Sequence, residues 1–300
     1  MNSIAAIIVT YNRRALLNEN IHALENQTAR NLDLLIIDNA STDGTQEMVK
    51  ELAETFPNIN YFNTGANLGG AGGFQYGIKK AVELKYDYLW IMDDDCIPTE
   101  TALQELLNAA DFLDNNFGFL SSQVLWKDNS ICKMNIPRET VFKNLTDFSE
   151  NLKKVEMASF VSLFVKRETI EELGLPIKEF FVWTDDWEFT RRISMKYPSY
   201  WVKKSVVIHK SASNIGANVY SDSYGRLNRY NYLYRNDVYL YRREGIRGFG
   251  YEAVRLLYHT FKVVTTAKDH KKERIEKIFK GTVNGLKFKP EIEYPENKNV

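Results

Sequence analysis

The sequence predicts an α/β fold: a mostly parallel sheet flanked by helices, followed by a C-terminal helical segment. Two observations carry this. Over the first 125 residues, short continuous apolar runs alternate with longer amphipathic ones, and each apolar run ends in a cluster of polar residues. Short runs without polar interruption suit strands covered on both faces, and apolar residues at helical spacing suit the covering helices.

The apolar runs are residues 4–11 (IAAIIVTY), 33–39 (DLLIIDN), 59–64 (INYFNT) and 86–93 (YDYLWIMD). Between them lie residues 14–27, 44–56 and 72–85, each with a helical apolar stripe. A βαβαβαβ order implies a parallel sheet, and such sheets gather their ligands at the carboxyl ends of the strands. Those ends carry Thr10, Tyr11, Asn12 and Arg13; then Asp38 to Asp43; then the glycine-rich stretch from Asn63 to Gly73, with Asn67, Gly69 and Gly70; then Asp93, Asp94 and Asp95. Taken singly, residues 38–45 read as a loop with a helix N-cap at Ser41, Thr42 or Asp43, and the glycines as a flexible connection. Converging on one edge, they read as a site. Neither a Walker loop nor a dinucleotide glycine fingerprint is present.

Composition narrows the function. With 300 residues, 44% of them hydrophobic, the chain can bury a full core. Lys and Arg balance Asp and Glu at 39 each, so no global field draws in nucleic acid or an anionic membrane, and charge recognition must be local. Cys96 and Cys132 lack metal-site spacing and read as reduced thiols. No run approaches the ~20 apolar residues of a membrane span. The N-terminus lacks the pattern of a signal peptide, and a cytoplasmic protein is expected.

Three adjacent carboxylates at the end of a buried strand repel one another unless a cation or a set of donors compensates. In extended backbone Asp93 and Asp95 face one side and Asp94 the other, so an Asp-x-Asp pair can serve a hard divalent cation and its ligand together. Mg²⁺ and Mn²⁺ fit such oxygen donors and complete their shells on phosphates. The plain alternative is a solvated acidic turn capping the following helix through Thr99.

IAAIIVTYNR, LLIIDNASTDGT, NLGGAGGF and WIMDDDCIP, in this order, resemble the family 2 inverting glycosyltransferases, which have a GT-A fold. The resemblance implies a nucleotide-sugar donor, with Asp38 near the base, Asp93 near ribose and phosphate, and Asp95 on the metal. Further on, Trp183-Thr184-Asp185-Asp186-Trp187-Glu188 places acids among aromatics at a helix start. Capping explains such acids through the helix dipole. Partial desolvation also raises a carboxylate's pKa, as a general base needs. The resemblance implies Asp186 as the base, Asp185, Trp183 and Trp187 at the acceptor, and His209 as a metal ligand beside Asp95 and Asp93.

The stretches GLPIKEFFVWTDDWEFTRRI, VVIHKSAS, RLNRYNYLYRNDVYLYRR and IFKGTVNGLKFKP extend the resemblance to the galactofuranosyltransferase branch, which uses UDP-galactofuranose; some relatives use dTDP-rhamnose. Thr184 departs from that branch's usual Trp-Asp-Asp. The expected organisation is a catalytic domain over residues 1–225, divided into a nucleotide-sugar half (1–125) and an acceptor half (126–225), followed by a helical region at 226–300. That region mixes tyrosines with basic residues. It either packs its apolar stripe on the catalytic domain or sets its Lys/Arg face on an anionic inner leaflet, where lipid-linked acceptors are found. Oligomerisation is open. A nucleotidyltransferase would need a basic glycine loop after the first strand, and a non-catalytic module would not need Asp93, Asp95, Asp186 and His209 together. A metal-dependent sugar transferase building a cell-surface polysaccharide, with a glycan or lipid-linked glycan acceptor and no nucleic-acid partner, is the expected function.

Overall fold

The computed structural model describes residues 3–295; the first two and last five residues of the expected segments lie outside it. The chain runs β1 (Ile4–Thr10), α1 (Arg14–Glu25), β2 (Leu32–Asp38), α2 (Thr45–Thr55), β3 (Ile59–Asn63), α3 (Gly69–Glu83), β4 (Tyr88–Asp93), β5 (Cys96–Pro98), α4 (Ala102–Phe112) and β6 (Phe119–Trp126). Then come β7 (Arg138–Thr140), β8 (Lys143–Asn144), β9 (Leu152–Lys154), β10 (Leu163–Lys166), α5 (Arg167–Leu173), α6 (Asp185–Ser194) and β11 (Tyr200–His209). Three helices close it: α7 (Tyr230–Arg242), α8 (Gly245–Thr266) and α9 (Lys271–Lys287).

Among the described residues the main sheet has nine strands, in the order β3-β2-β1-β4-β10-β6-β11-β5 with β9 on the side of β11. β1 to β4 are parallel to one another. β10 is inserted antiparallel between β4 and β6, so the sheet is mixed, though mostly parallel. Successive β1 residues serve opposite faces: Ile4, Ala6 and Ile8 pack toward α1, α2 and α4, while Ala5, Ile7 and Val9 pack toward α3, α5 and α6. That two-sided burial explains the uninterrupted apolar runs.

The glycine-rich stretch is not a flexible connection. Gly69 to Gly73 form the first turn of α3. An added Cβ at Gly73 would sit 2.6 Å from a Val9 methyl carbon, and one at Gly77 2.6 Å from Ile7 and 2.7 Å from Ile37. The glycines let a helix lie directly on the sheet beside the strand ends. Two expected caps also move. Gly44 is the N-cap of α2, with Asp43 accepting from the Thr45 hydroxyl at 2.6 Å. Thr101, not Thr99, precedes α4; the Thr99 hydroxyl donates to the Val206 carbonyl, and β5 separates the acid triplet from that helix.

In the C-terminal segment α9 approaches α7 through Gly281 and Gly285, where a Cβ would meet the Cβ atoms of Tyr234 and Val238 at 2.7 and 2.6 Å. The α8 side facing α7 carries charge: Arg255 pairs with buried Asp237 and with Glu252. There, His259 Nδ1 lies 2.9 Å from the Tyr234 hydroxyl. Burial, then Arg255, lowers its pKa to about 4.

Two outcomes follow. Gly77→Val should destabilise the fold by about 1–3 kcal/mol through overpacking against β1 and β2, seen as a lower urea midpoint. A histidine depressed below its unfolded value near 6.5 binds fewer protons folded than unfolded between pH 4 and 6.5. Its contribution is therefore complete above pH 6.5 and lost as pH falls toward 4, so Tm should drop over that window, and His259→Gln should lessen the drop.

Candidate active site

The acids come together because of strand register. β4 ends at Asp93, residues 94–95 turn, and β5 pairs antiparallel with β11 so that Cys96 stands opposite His209. This sets the His209 ring against the acid one residue earlier: Nε2 lies 3.2 Å from Asp95 Oδ1. Asp93, Asp95 and His209 each offer a ligand atom, and these atoms all lie within 4.8 Å of one another. Asp94 lies in the turn, so the strand alternation expected of the triplet stops at Asp93; it accepts from the Thr10 hydroxyl at 2.8 Å and from Arg13 at 3.2 Å. Arg13 also reaches Asp95 at 2.6 Å.

Two residues without a role in the sequence reading hold the imidazole. Asn135, in a short 3-10 turn at Lys133–Asn135, has its Oδ1 2.8 Å from His209 Nδ1, and it is fixed in turn by donating to Ser159. Cys132 Sγ lies 3.7 Å from the same nitrogen. In the ion pair Nε2 donates to Asp95; a neutral His209 donating from Nδ1 to Asn135 would instead turn its Nε2 lone pair to a cation held with Asp95 and Asp93, the tautomer a metal ligand requires. The spacing from Asn135 to His209 leaves no local motif by which to find this contact. Cys96 and Cys132 are buried free thiols.

α6 starts at Asp185, next to this cluster. Asp185 is raised to about 7 by burial, with Asp93 adding repulsion. Asp186 is raised well above the usual carboxylate range by burial, then by Asp185, and also by Asp93. Burial raises Asp93 to about 6 and Asp94 to about 7. For Asp95 burial is outweighed by His209 and Arg13, which together hold it low; at His209 burial is outweighed by the same pairing, which lifts the ring to about 10. Five carboxylates thus share one guanidinium and one imidazole. Hard oxygen donors plus one imidazole nitrogen, converging where negative charge is under-compensated, suit a divalent cation of the Mg²⁺ or Mn²⁺ type.

The loop before α6 is held from the C-terminal segment. Phe181, Trp183 and Thr184 all have positive φ, at 64°, 66° and 69°. For bulky and β-branched residues such backbone is costly and persists only where surroundings impose it. Asn236 of α7 imposes it by donating to the carbonyls of Phe180, Val182 and Trp183 at 3.1, 3.2 and 2.9 Å. The Thr184 hydroxyl donates to Asp237 at 2.6 Å. Gly69 completes the contact: at φ 72° it leaves room for the Phe181 carbonyl, which would lie 2.2 Å from a Cβ there.

The remaining sequence-picked residues divide. Asp38 is fully buried, with one oxygen accepting from Tyr61 at 2.6 Å and the other from the Ser41 amide at 2.8 Å. Asn12 accepts from the Thr42 amide at 2.7 Å, tying the β1 and β2 loops together. Asn67 accepts from the Gly69 amide at 2.9 Å, Tyr11 is exposed, and nothing crowds Gly70. Trp183 packs on Tyr230 with ring centres 5.3 Å apart. The Trp187 ring lies 4.0 Å from the Arg138 guanidinium, packed with Met157 and Tyr241.

The chain resembles known proteins in sequence and in fold. The family model "Glycosyl transferase family 2" matches residues 5–170. The chain is 29% identical over 201 residues to the galactofuranosyltransferase GlfT1 of Mycolicibacterium smegmatis, covering 63% of this chain and 65% of that protein. It is 40% identical over 96 residues to the abequosyltransferase RfbV of Salmonella typhimurium, covering 31% and 28%. The matches thus span less than two thirds of these relatives' lengths. Among solved structures, the mannosyltransferase PcManGT of Pyrobaculum calidifontis, in complex with GDP-Man and Mn²⁺, superposes with a TM-score of 0.58 at 18% identity, covering 94% of this chain and 86% of that one. TarS of S. aureus gives 0.56 at 14% identity, covering 94% and 43%. At such identities these likenesses speak for the fold, which is the expected GT-A arrangement with C-terminal helices. The family match spans more than half of the chain, and it covers β4 and the turn that carries Asp93 to Asp95: this protein belongs to glycosyl transferase family 2 and is a glycosyltransferase.

Proposed function

We propose that the protein is a metal-dependent inverting transferase that moves galactofuranose from UDP-galactofuranose to a glycan or lipid-linked glycan acceptor of the cell surface. The observation that carries the reaction type is the convergence of Asp93, Asp95 and His209 beside the Asp185–Asp186 pair at one sheet edge. The donor sugar is supported by similarity to GlfT1 over 63% of the chain. dTDP-rhamnose is the second donor to test.

In this reading Asp93, Asp95 and His209 hold the cation, and Asn135 orients the His209 ring. The bound cation supplies Lewis-acid stabilisation of the departing diphosphate. Thr10, Tyr11, Asn12, Arg13, Asn67, Gly69, Gly70 and Asp94 form the nucleotide-sugar side, with Arg13 free to exchange its carboxylates for phosphate oxygens. Asp38 acts there by shaping the loop after β2. The Asp186 carboxylate takes the proton from the acceptor hydroxyl as that oxygen bonds to the anomeric carbon; the carbon–phosphate-oxygen bond breaks, and the configuration inverts. Burial and Asp185 raise the basicity of Asp186, matching it to a proton leaving an alcohol. Asp185 and Trp183 face the acceptor side, and Trp187 supports it from behind through Arg138. The C-terminal helices contact the membrane surface at which a lipid-linked acceptor resides.

A donor screen reading released UDP or dTDP tests the reading: turnover with UDP-galactofuranose should exceed that with dTDP-rhamnose and UDP-hexopyranoses, and a reversed ranking would replace the donor. Asp186→Asn should keep calorimetric binding of UDP with Mn²⁺ and lose at least 10²-fold in kcat; Asp95→Ala should weaken both. Full turnover in Asp186→Asn would remove the base assignment.

The clamp on the preceding loop carries its own expectation. Asn236→Ala should lower kcat about 10-fold or more while UDP affinity stays put, because it loosens the base loop and leaves the β4 cluster alone. An equal loss of both would mean general destabilisation.

A further inference from the structure

The sequence allowed two arrangements of the C-terminal helices, with the apolar stripe packed inward or the basic face turned to a membrane. α8 combines features of both. Its inner side packs Val263 and Leu256 among Tyr230, Tyr234 and Ile278 and sets Glu252, Arg255 and His259 against α7, while a broader apolar side faces out. Ile246 is 91% exposed, Leu257 72%, Val254 67% and Phe261 63%, with Phe249 and Val264 also more than half exposed. At 100° per residue these positions sweep an arc of about 140° of the helix circumference. The stripe runs from Ile246 to Val264, nearly the whole of the 22-residue α8, and the helix's one acid, Glu252, is buried. Isolated surface hydrophobics need no explanation; a continuous stripe of this length marks a contact surface.

We infer that α8 lies in the plane of an anionic bilayer surface, its apolar face inserted at the headgroup boundary and the lysines around it on lipid phosphates. Charge selects this occupant over others. Residues 243–289 hold twelve Lys or Arg against five Asp or Glu, an excess of seven in a chain whose total is zero. Arg247 at the start of α8 and Lys268, Lys271 and Lys272 at the turn into α9 are exposed beside the stripe. A second copy of the chain would bring a like charge against this one, whereas an anionic leaflet complements it. No helix among the described residues is long and apolar enough to cross a membrane, so the contact is in-plane.

The surface also has a mechanical link to the site. Arg255 on the inner side of α8 bonds Asp237, which accepts from Thr184, the residue before Asp185. A helix seated on the bilayer thus sits one ion pair and one hydrogen bond from the loop that leads into the acids of α6, as a lipid-linked acceptor would need. The inference deepens the acceptor reading above and rests on it for this last point alone.

Flotation with phosphatidylglycerol-containing and pure phosphatidylcholine vesicles tests it without any turnover. The wild-type chain should float with the anionic vesicles at low salt. Leu257→Glu/Phe261→Glu should float at least 10-fold less, with unchanged circular dichroism, UDP calorimetry and turnover on a soluble acceptor. Lys268→Gln/Lys271→Gln/Lys272→Gln, which spares the apolar face, should lose the preference for phosphatidylglycerol. Failure of the wild type to float, equal flotation on both vesicles, or a wild-type dimer in light scattering that Leu257→Glu/Phe261→Glu dissolves would each overturn the inference. None of these outcomes touches the donor or base assignments, which the turnover assays judge separately.

Discussion

The site depends on an excess of negative charge held at one end of a buried strand. β4 is covered on both faces, so its exit delivers Asp93, Asp94 and Asp95 into surroundings that hydrate them poorly. Like charges so placed must be neutralised by protonation, by donors or by cations. The chain uses all three: Thr10 and Arg13 serve Asp94, Arg13 and His209 serve Asp95, and burial raises Asp93 and Asp94 toward neutrality. What is left over is an appetite for positive charge, and the donors that converge there are hard ones. The β5–β11 register sets the position of His209 in this balance, so a short three-residue strand has more influence on the site than its size suggests.

The C-terminal helices are part of the same machine. Asn236 and Asp237 hold three positive-φ residues in a loop that no other described element secures by so many side-chain bonds, and Asp185 and Asp186 follow directly. α7 is held by α9 through two glycines and by α8 through Arg255. Backbone strain beside the acids is thus balanced by buried polar bonds to a segment far along the chain. The loop before α6 and the helical segment are joined by these buried polar bonds across the expected boundary near residue 225.

Much was legible from the amino-acid sequence because the physics there is local. Two-sided burial writes itself as apolar runs, helices as stripes, and strand ends as polar clusters, so the α/β class, the order of the first four strands and the location of Asp93 to Asp95 could be read directly. Family membership rested on an ordered set of motifs, and the family match bears it out. Other features needed the tertiary structure because their causes are distant. The glycines of α3 look like a loop until the close approach of Val9, Ile7 and Ile37 shows why a helix must lack side chains there. Asn135 and Asn236 are ordinary asparagines in sequence; only folding brings one to His209 Nδ1 and the other to three loop carbonyls. The periodicity of α8 shows that one face is apolar, but periodicity has no sense of inside and outside. Burial of Glu252, Arg255 and His259 against α7 decides that the greasy side looks outward.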